Sequence, residues 1–274
     1  MHEVLIAVDG SKGSISQGLR VGDPLSQQSG LPLRIVSIIE QAGAEPERRE
    51  AIEAQISKRS AKGEAGVSPE IEVAVSEDPA AYIARRAREG ESLVCMATRG
   101  LGAVSEAVVG SVAAAAVRQA GRPLVLAGPE LPGNWKGPVQ RVMVALDGSS
   151  LSEASLPAAI ELANAVGAEL RLIQVLDTSE MPRPGVLDVN EGGYLDHLAN
   201  QIQGQVRGGI NWDVLHDHEP GRAIIEYCNN RPGSLPLLST HGRTGLARLT
   251  MGSVAHTVLY HATFPVAVMR PSSV

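Results

Sequence analysis

The feature that most constrains this chain is an internal repeat. The stretch VLIAVDGSKGS, Val4 to Ser14, returns as VMVALDGSSLS, Val142 to Ser152. LRIVSII from Leu33 returns as LRLIQVL from Leu170, and Asp78-Pro79 as Glu219-Pro220. GSVA from Gly110 returns unchanged from Gly252, and PLVLA from Pro123 returns as PVAVM from Pro265. The order is kept throughout, so the chain encodes one supersecondary plan twice. Between the copies, GPELPGNWKGP from Gly128 to Pro138 has no apolar period and reads as a linker. The expected domains are therefore 1–130 and 139–274.

Within each copy short apolar runs alternate with helical patterns. The runs in the first copy are Val4–Val8, Leu33–Ile39, Ile71–Val75, Leu93–Ala97 and Leu124–Ala127. Those in the second are Val142–Leu146, Leu170–Leu176, Asn211–Leu215, Leu235–Ser239 and Val266–Met269. Five strands alternating with four helices imply a parallel α/β sheet with right-handed crossovers in each copy. Aromatic residues make up only 3% of the chain, so Val, Leu, Ile and Ala must fill the core. Such residues suit strands covered on both faces. Ser14 and Ser152 are expected as helix N-caps, and Pro79 and Pro220 as first-turn prolines. Ile52 and Ile56, like Leu195, Leu198 and Ile202, mark apolar helix faces. Pro236 falls in a strand and is expected at its first residue. The last strand of each copy is an apolar edge that needs covering, which predicts that the two pair within the chain.

In an open α/β sheet the ligand site lies beyond the carboxyl ends of the strands. The first strand of each copy ends in Asp-Gly-Ser, at Asp9 and Asp147. A carboxylate there can accept from a ribose hydroxyl or a base amine, or it can simply hold a helix-entry turn. The fourth strand leads into a more specific pattern. Ala97-Thr-Arg99-Gly100 is followed by nine residues and then Gly110-Ser111; Ser239-Thr-His241-Gly242 is followed by nine and then Gly252-Ser253. A glycine and a serine opening a helix supply bare N–H groups, close approach and a hydroxyl, which together suit an anion. Repetition at one spacing favours phosphate recognition over a plain helix start. Arg99 and His241 precede the second glycine as candidate contacts to phosphate or ribose, His241 reading equally well as a solvated loop residue.

On these motifs both halves resemble universal stress protein domains, over nearly the whole chain apart from the linker. That family's pattern is glycine, two residues, glycine, nine residues, then glycine with serine or threonine. The first glycine is replaced here by Ala97 and by Ser239, a departure expected to weaken phosphate binding without abolishing it. The resemblance implies a five-stranded, doubly wound α/β sheet in each copy, with the expected strand order 3-2-1-4-5, and an adenine nucleotide, ATP with or without Mg²⁺, near Asp9 and Asp147, with the base beside Ile38 and Val175. It also implies pairing of domains through their last strands, within the chain and again in a homodimer. A stress-responsive regulatory or scaffold protein is the expected function, without dedicated catalysis.

Other classes fit less well. No Gly-x-x-x-x-Gly-Lys-Ser/Thr loop or Gly-x-Ser-x-Gly elbow is present, and Gly100-Leu-Gly102-Ala-Val-Ser105 lacks the third glycine of a dinucleotide fingerprint. An adenylating enzyme would need a Ser-Gly-Gly-type loop after strand one. A net charge of −6 without a basic cluster argues against nucleic acid, and no apolar run approaches a membrane span, so a cytoplasmic protein is expected. Cys95 and Cys228 read as inert buried thiols, and His216 with His218 as a weak metal pair. The alternative from another class is a nucleotide-free interaction module working through domain pairing and protein partners. Between the two sites, Arg243 and Arg248 against Glu106 lead to the expectation that the second copy binds triphosphate more tightly.

Overall fold

The computed structural model describes residues 1–61, 66–89, 92–98, 109–177, 179, 192–240 and 251–271. The first half runs β1 (Glu3–Val8), α1 (Lys12–Ser29), β2 (Leu33–Ile39), α2 (Glu45–Ala61), β3 (Glu70–Val75), α3 (Pro79–Arg88), β4 (Ser92–Ala97), α4 (Ser111–Ala120) and β5 (Leu124–Ala127). The second runs β6 (Arg141–Leu146), α5 (Ser150–Glu153), α6 (Leu156–Val166), β7 (Glu169–Leu176), α7 (Gly193–Ile202), β8 (Ile210–His216), α8 (Pro220–Asn229), β9 (Ser234–Ser239), α9 (Ser253–His261) and β10 (Val266–Met269).

The ten strands form one sheet in the order β3-β2-β1-β4-β5-β10-β9-β6-β7-β8. Each half has the expected order 3-2-1-4-5, and its strands pair in parallel. The halves meet through β5 and β10, which are antiparallel with Leu126 opposite Val266 and Leu124 opposite Val268. All eight residues of these two strands are buried. The pairing removes two apolar edges that would otherwise invite another chain.

Alternation along the strands sorts the apolar side chains into two layers. Val4, Ile6 and Val8 face one layer with Ile15, Leu19 and Ile52; Leu5 and Ala7 face the other with Ile83, Ala116 and Val117. Each layer runs on into the second half, through Val142 and Leu162 on one side and Met143 and Leu259 on the other. The helices α1 and α2 thus cover one face and α3 and α4 the opposite face, the arrangement that opens a crevice between the ends of β1 and β4.

Three sequence expectations need correcting. Ser14 and Ser152 are not the caps. Ser11 and Ser149 are, their hydroxyls accepting the N–H of Ser14 at 3.1 Å and of Ser152 at 3.2 Å. The first helix of the second half is broken into α5 and α6, because Pro157 has no N–H to give to the carbonyl four residues back and its ring crowds that turn. Pro236 is the third residue of β9 rather than its first, opposite Met143. The ladder from β10 begins one residue later, at Leu237, which leaves a side on which the imino nitrogen interrupts no rung. Pro79 and Pro220 do stand in the first turns of α3 and α8.

Polar groups reinforce the frame. Gln28 on α1 binds both halves of a clamp: its Nε2 donates to the carbonyls of Val139 (2.6 Å) and Val166 (2.7 Å), and its Oε1 accepts the Val139 N–H (2.8 Å). Near the start of β1, Glu3 receives Arg34, Arg86 and the Ser92 hydroxyl. Burial pushes the Glu3 carboxyl up, but these donors outweigh it and hold its pKa below the usual glutamate value. Glu72 follows the same balance, with donors from Tyr82 and Arg86. Both thiols are buried, and burial raises their pKa, that of Cys228 to about 12. No helix among the described residues is long and apolar enough to cross a membrane.

Two outcomes follow. Gln28→Leu leaves three backbone groups at the seam without their partner and should lower unfolding stability by about 1–3 kcal/mol in urea melts; an unchanged midpoint would mean the clamp is idle. Because the folded-state pKa values of Glu3 and Glu72 are depressed, their stabilisation is present above the ordinary glutamate pKa of 4.5 and is lost as pH falls through the lower folded values. Glu3→Gln should therefore flatten the stability profile below pH 4.5 and reduce stability near neutrality, as read by thermal melts across pH.

Candidate functional site

The carboxyl end of β1 turns on Asp9-Gly10-Ser11, and that of β6 on Asp147-Gly148-Ser149. Both glycines take positive φ, +83° at Gly10 and +80° at Gly148, a conformation that side chains resist. The Asp9 Oδ1 accepts the Ser11 N–H at 2.9 Å and the Ser14 hydroxyl; the Asp147 Oδ1 accepts the N–H (3.0 Å) and the hydroxyl of Ser149. Ser14 and Ser152, both buried, in turn accept the N–H of Asp9 and of Asp147. The aspartates therefore do hold a helix-entry turn. That role uses Oδ1 of each carboxylate, at the carboxyl ends of β1 and β6.

The fourth strand of each half closes its loop in the same way. The Thr98 N–H donates to the Ala127 carbonyl, and the Thr98 carbonyl accepts the Gly110 N–H at 2.7 Å. Thr240 repeats this with Met269 and with Gly252, again at 2.7 Å. The motif thus leaves the sheet at a buried threonine and returns beside it. This closeness has a steric cost: a Cβ on Gly252 would stand 2.7 Å from the Thr240 carbonyl oxygen. Glycine is required there by loop closure, whatever else it serves. Ala97 is buried and Ser239 half-buried at the strand ends. Arg99, Gly100, His241 and Gly242 lie outside the described residues, as do Arg243, Arg248 and Glu106.

Helices α4 and α9 open directly on these glycines, with no side-chain cap. Ser111 and Ser253 are the first helical residues and are exposed. The N–H groups of a first turn carry a partial positive charge, so each loop ends on a donor cluster suited to an anion. Ile38 and Val175 are half-buried and pack against the layer that α3, α4, α8 and α9 cover, on the side of those helix starts. The structure therefore brings Asp9, Ile38, Ala97, Gly110 and Ser111 to one end of the first half, and Asp147, Val175, Ser239, Gly252 and Ser253 to the same end of the second.

Sequence reasoning passed over two contributors. The threonines were visible as Ala97-Thr and Ser239-Thr at matching positions, but only the fold gives them a task. Arg48 of α2 left no signal, since it reaches the first turn from a distant stretch of chain: its guanidinium donates to the Asp9 carbonyl and lies against Gly10. At the end of β8, Asp217 is a carboxylate beside His218, 3.4 Å away, but it also accepts Arg222 at 2.8 Å. Among the described residues no three His, Cys, Asp or Glu side chains gather as metal ligands.

Comparison with known proteins agrees with this architecture. The profile of the Universal stress protein family matches twice, over residues 1–127 and 138–270. A universal stress protein of Mycobacterium tuberculosis, Rv2005c, is 28% identical over 189 residues, 66% of this chain and 62% of the relative. The chain thus spans less than two thirds of that relative's length. The universal stress protein YxiE of Bacillus subtilis is 27% identical over 148 residues, 47% of this chain and 98% of its own. A solved universal stress protein from Archaeoglobus fulgidus shares the fold, with a TM-score of 0.63, 17% identity and coverage of 98% of both chains. With its sequence matched in both halves and its sheet built to the same plan, the chain belongs to the universal stress protein family.

Proposed function

We propose that this protein binds adenine nucleotide, ATP in the first instance, as a non-enzymatic stress-response regulator or scaffold. Its two domains, 1–130 and 139–274, would each offer one site. The observation that carries the reading is the pair of uncapped, glycine-opened helices α4 and α9, each returning to a buried threonine at the end of a central strand. In this reading the first-turn N–H groups and the hydroxyls of Ser111 and Ser253 receive phosphate, with Arg99, Gly100, His241 and Gly242 on the intervening loops. Ile38 and Val175 flank the base. Asp9 and Asp147 meet ribose or base at the rim. A bound Mg²⁺ would ride on the phosphates. The family likeness is what makes adenine the expected base.

A second reading, a nucleotide-free module that pairs domains and engages another protein, draws on a specific observation. Both aspartates already serve their own turns, and the family's first glycine is Ala97 in one half and Ser239 in the other. The two readings part on charge. An aspartate at the first helical residue favours the helix by about 0.3–1 kcal/mol, yet it repels phosphate. The doubly substituted chain Ser111→Asp, Ser253→Asp should therefore melt no lower than the parent while its ATP affinity falls about tenfold or more by calorimetry. Retained affinity with intact folding would remove the helix starts from the site.

A further inference from the structure

We infer that Arg48 is a phosphate-recognising residue of the first site and makes the N-terminal half the tighter of the two for nucleotide. This deepens the nucleotide-binding reading above and rests on it. Arg48 is the fourth residue of α2, the helix that follows β2, whose end carries Ile38. Its side chain crosses to the turn after β1, donates to the Asp9 carbonyl and lies against Gly10, where a side chain would displace the guanidinium from its present place. Strand β1 neighbours β4, with Ala7 opposite Met96, and β4 leads through Thr98 to the Gly110-Ser111 helix start. The guanidinium is thus held at the rim of the crevice into which the proposed phosphate donors open.

Its chemistry suits that place. Among the described residues no carboxylate forms an ion pair with Arg48, and the hydrogen bond of its guanidinium goes to a neutral carbonyl. A half-buried guanidinium has five N–H donors in a planar fork, and a phosphate can take two of them at once. Among the described residues, the corresponding helix of the second half carries no such cation. The fourth residue of α7 is Asp196, which pairs with Asn200, and α7 contains no lysine or arginine. The first half would then hold the tighter site, against the expectation drawn from the loop arginines of the second; its cation comes from a helix distant in sequence.

The test uses the full chain and a photoreactive ATP analogue, with adenosine titrations alongside. In the parent, label should fall mainly on peptides from 1–130. In Arg48→Gln the labelling of those peptides should need about tenfold more analogue and the label should shift toward 139–274, while adenosine affinity stays within about twofold. Arg48→Lys, which keeps the charge without the fork, should recover part of the loss. Unchanged or stronger labelling of 1–130 in Arg48→Gln would overturn the inference and leave Arg48 as a brace on the turn. An equal loss of adenosine would overturn it too, by showing that the turn itself had moved. A parent chain that takes neither ATP nor the analogue would instead remove the nucleotide-binding reading on which this one stands.

Discussion

The antiparallel contact between β5 and β10 is the constraint on which the rest depends. A five-stranded parallel sheet ends in an apolar edge strand, and an exposed edge is a template for aggregation. Pairing the two last strands gives one continuous sheet and merges the two core layers across the seam. It also relates the halves so that β1, β4 and their loops are repeated about the contact. Gln28 of the first half, bound to the backbone of Val139 and Val166 in the second, and Glu161 of the second, which receives the amino terminus and Arg122 of the first, add polar anchorage between the halves. The outer edges, β3 and β8, are only half-buried and carry Glu70, Glu72 and Asp213.

At the carboxyl ends of the strands, the described residues of the two halves share one local geometry. Each half uses one device at β1 or β6, an aspartate and two serines that lock a positive-φ glycine, and one at β4 or β9, a threonine that clasps the returning glycine. These devices are the part of the candidate site that the two halves share. What differs between the halves comes from outside them: Arg48 over the first turn, and Tyr194 of α7 bonded to Glu153 of α5 beside the second. Two copies of one scaffold can therefore be tuned separately through helices that the repeat does not hold constant.

Much of this was legible in the sequence, for physical reasons that can be named. Strands β1, β4, β5 and β10 are buried on both faces, so they appear as unbroken apolar runs, and the repeat fixed their order. The edge pairing followed from the need to cover two apolar ends. The capping residues were misread because Ser11 and Ser14 stand three apart and either could cap. In both halves the serine next to the turn glycine takes the cap, and Ser14 and Ser152 turn back to accept the N–H of Asp9 and Asp147. The helix break at Pro157 was missed because proline can also sit inside a helix without ending it, as Pro24 does in α1. Arg48 could not be read at all, since a contact between α2 and the β1 turn has no local pattern. The glycine at 252 was assigned to phosphate approach, whereas the structure also requires it for the Thr240 contact.

The central claim is that the helix starts at Ser111 and Ser253 form nucleotide sites rather than bare turns. The most direct measurement is to denature freshly purified full chain and resolve the released small molecules by anion-exchange chromatography with mass detection. The account predicts adenine nucleotide in a ratio of up to about two per chain. Release of no nucleotide, together with no rise in melting temperature on adding ATP and Mg²⁺, would contradict it and favour a nucleotide-free module that acts through domain pairing and protein partners.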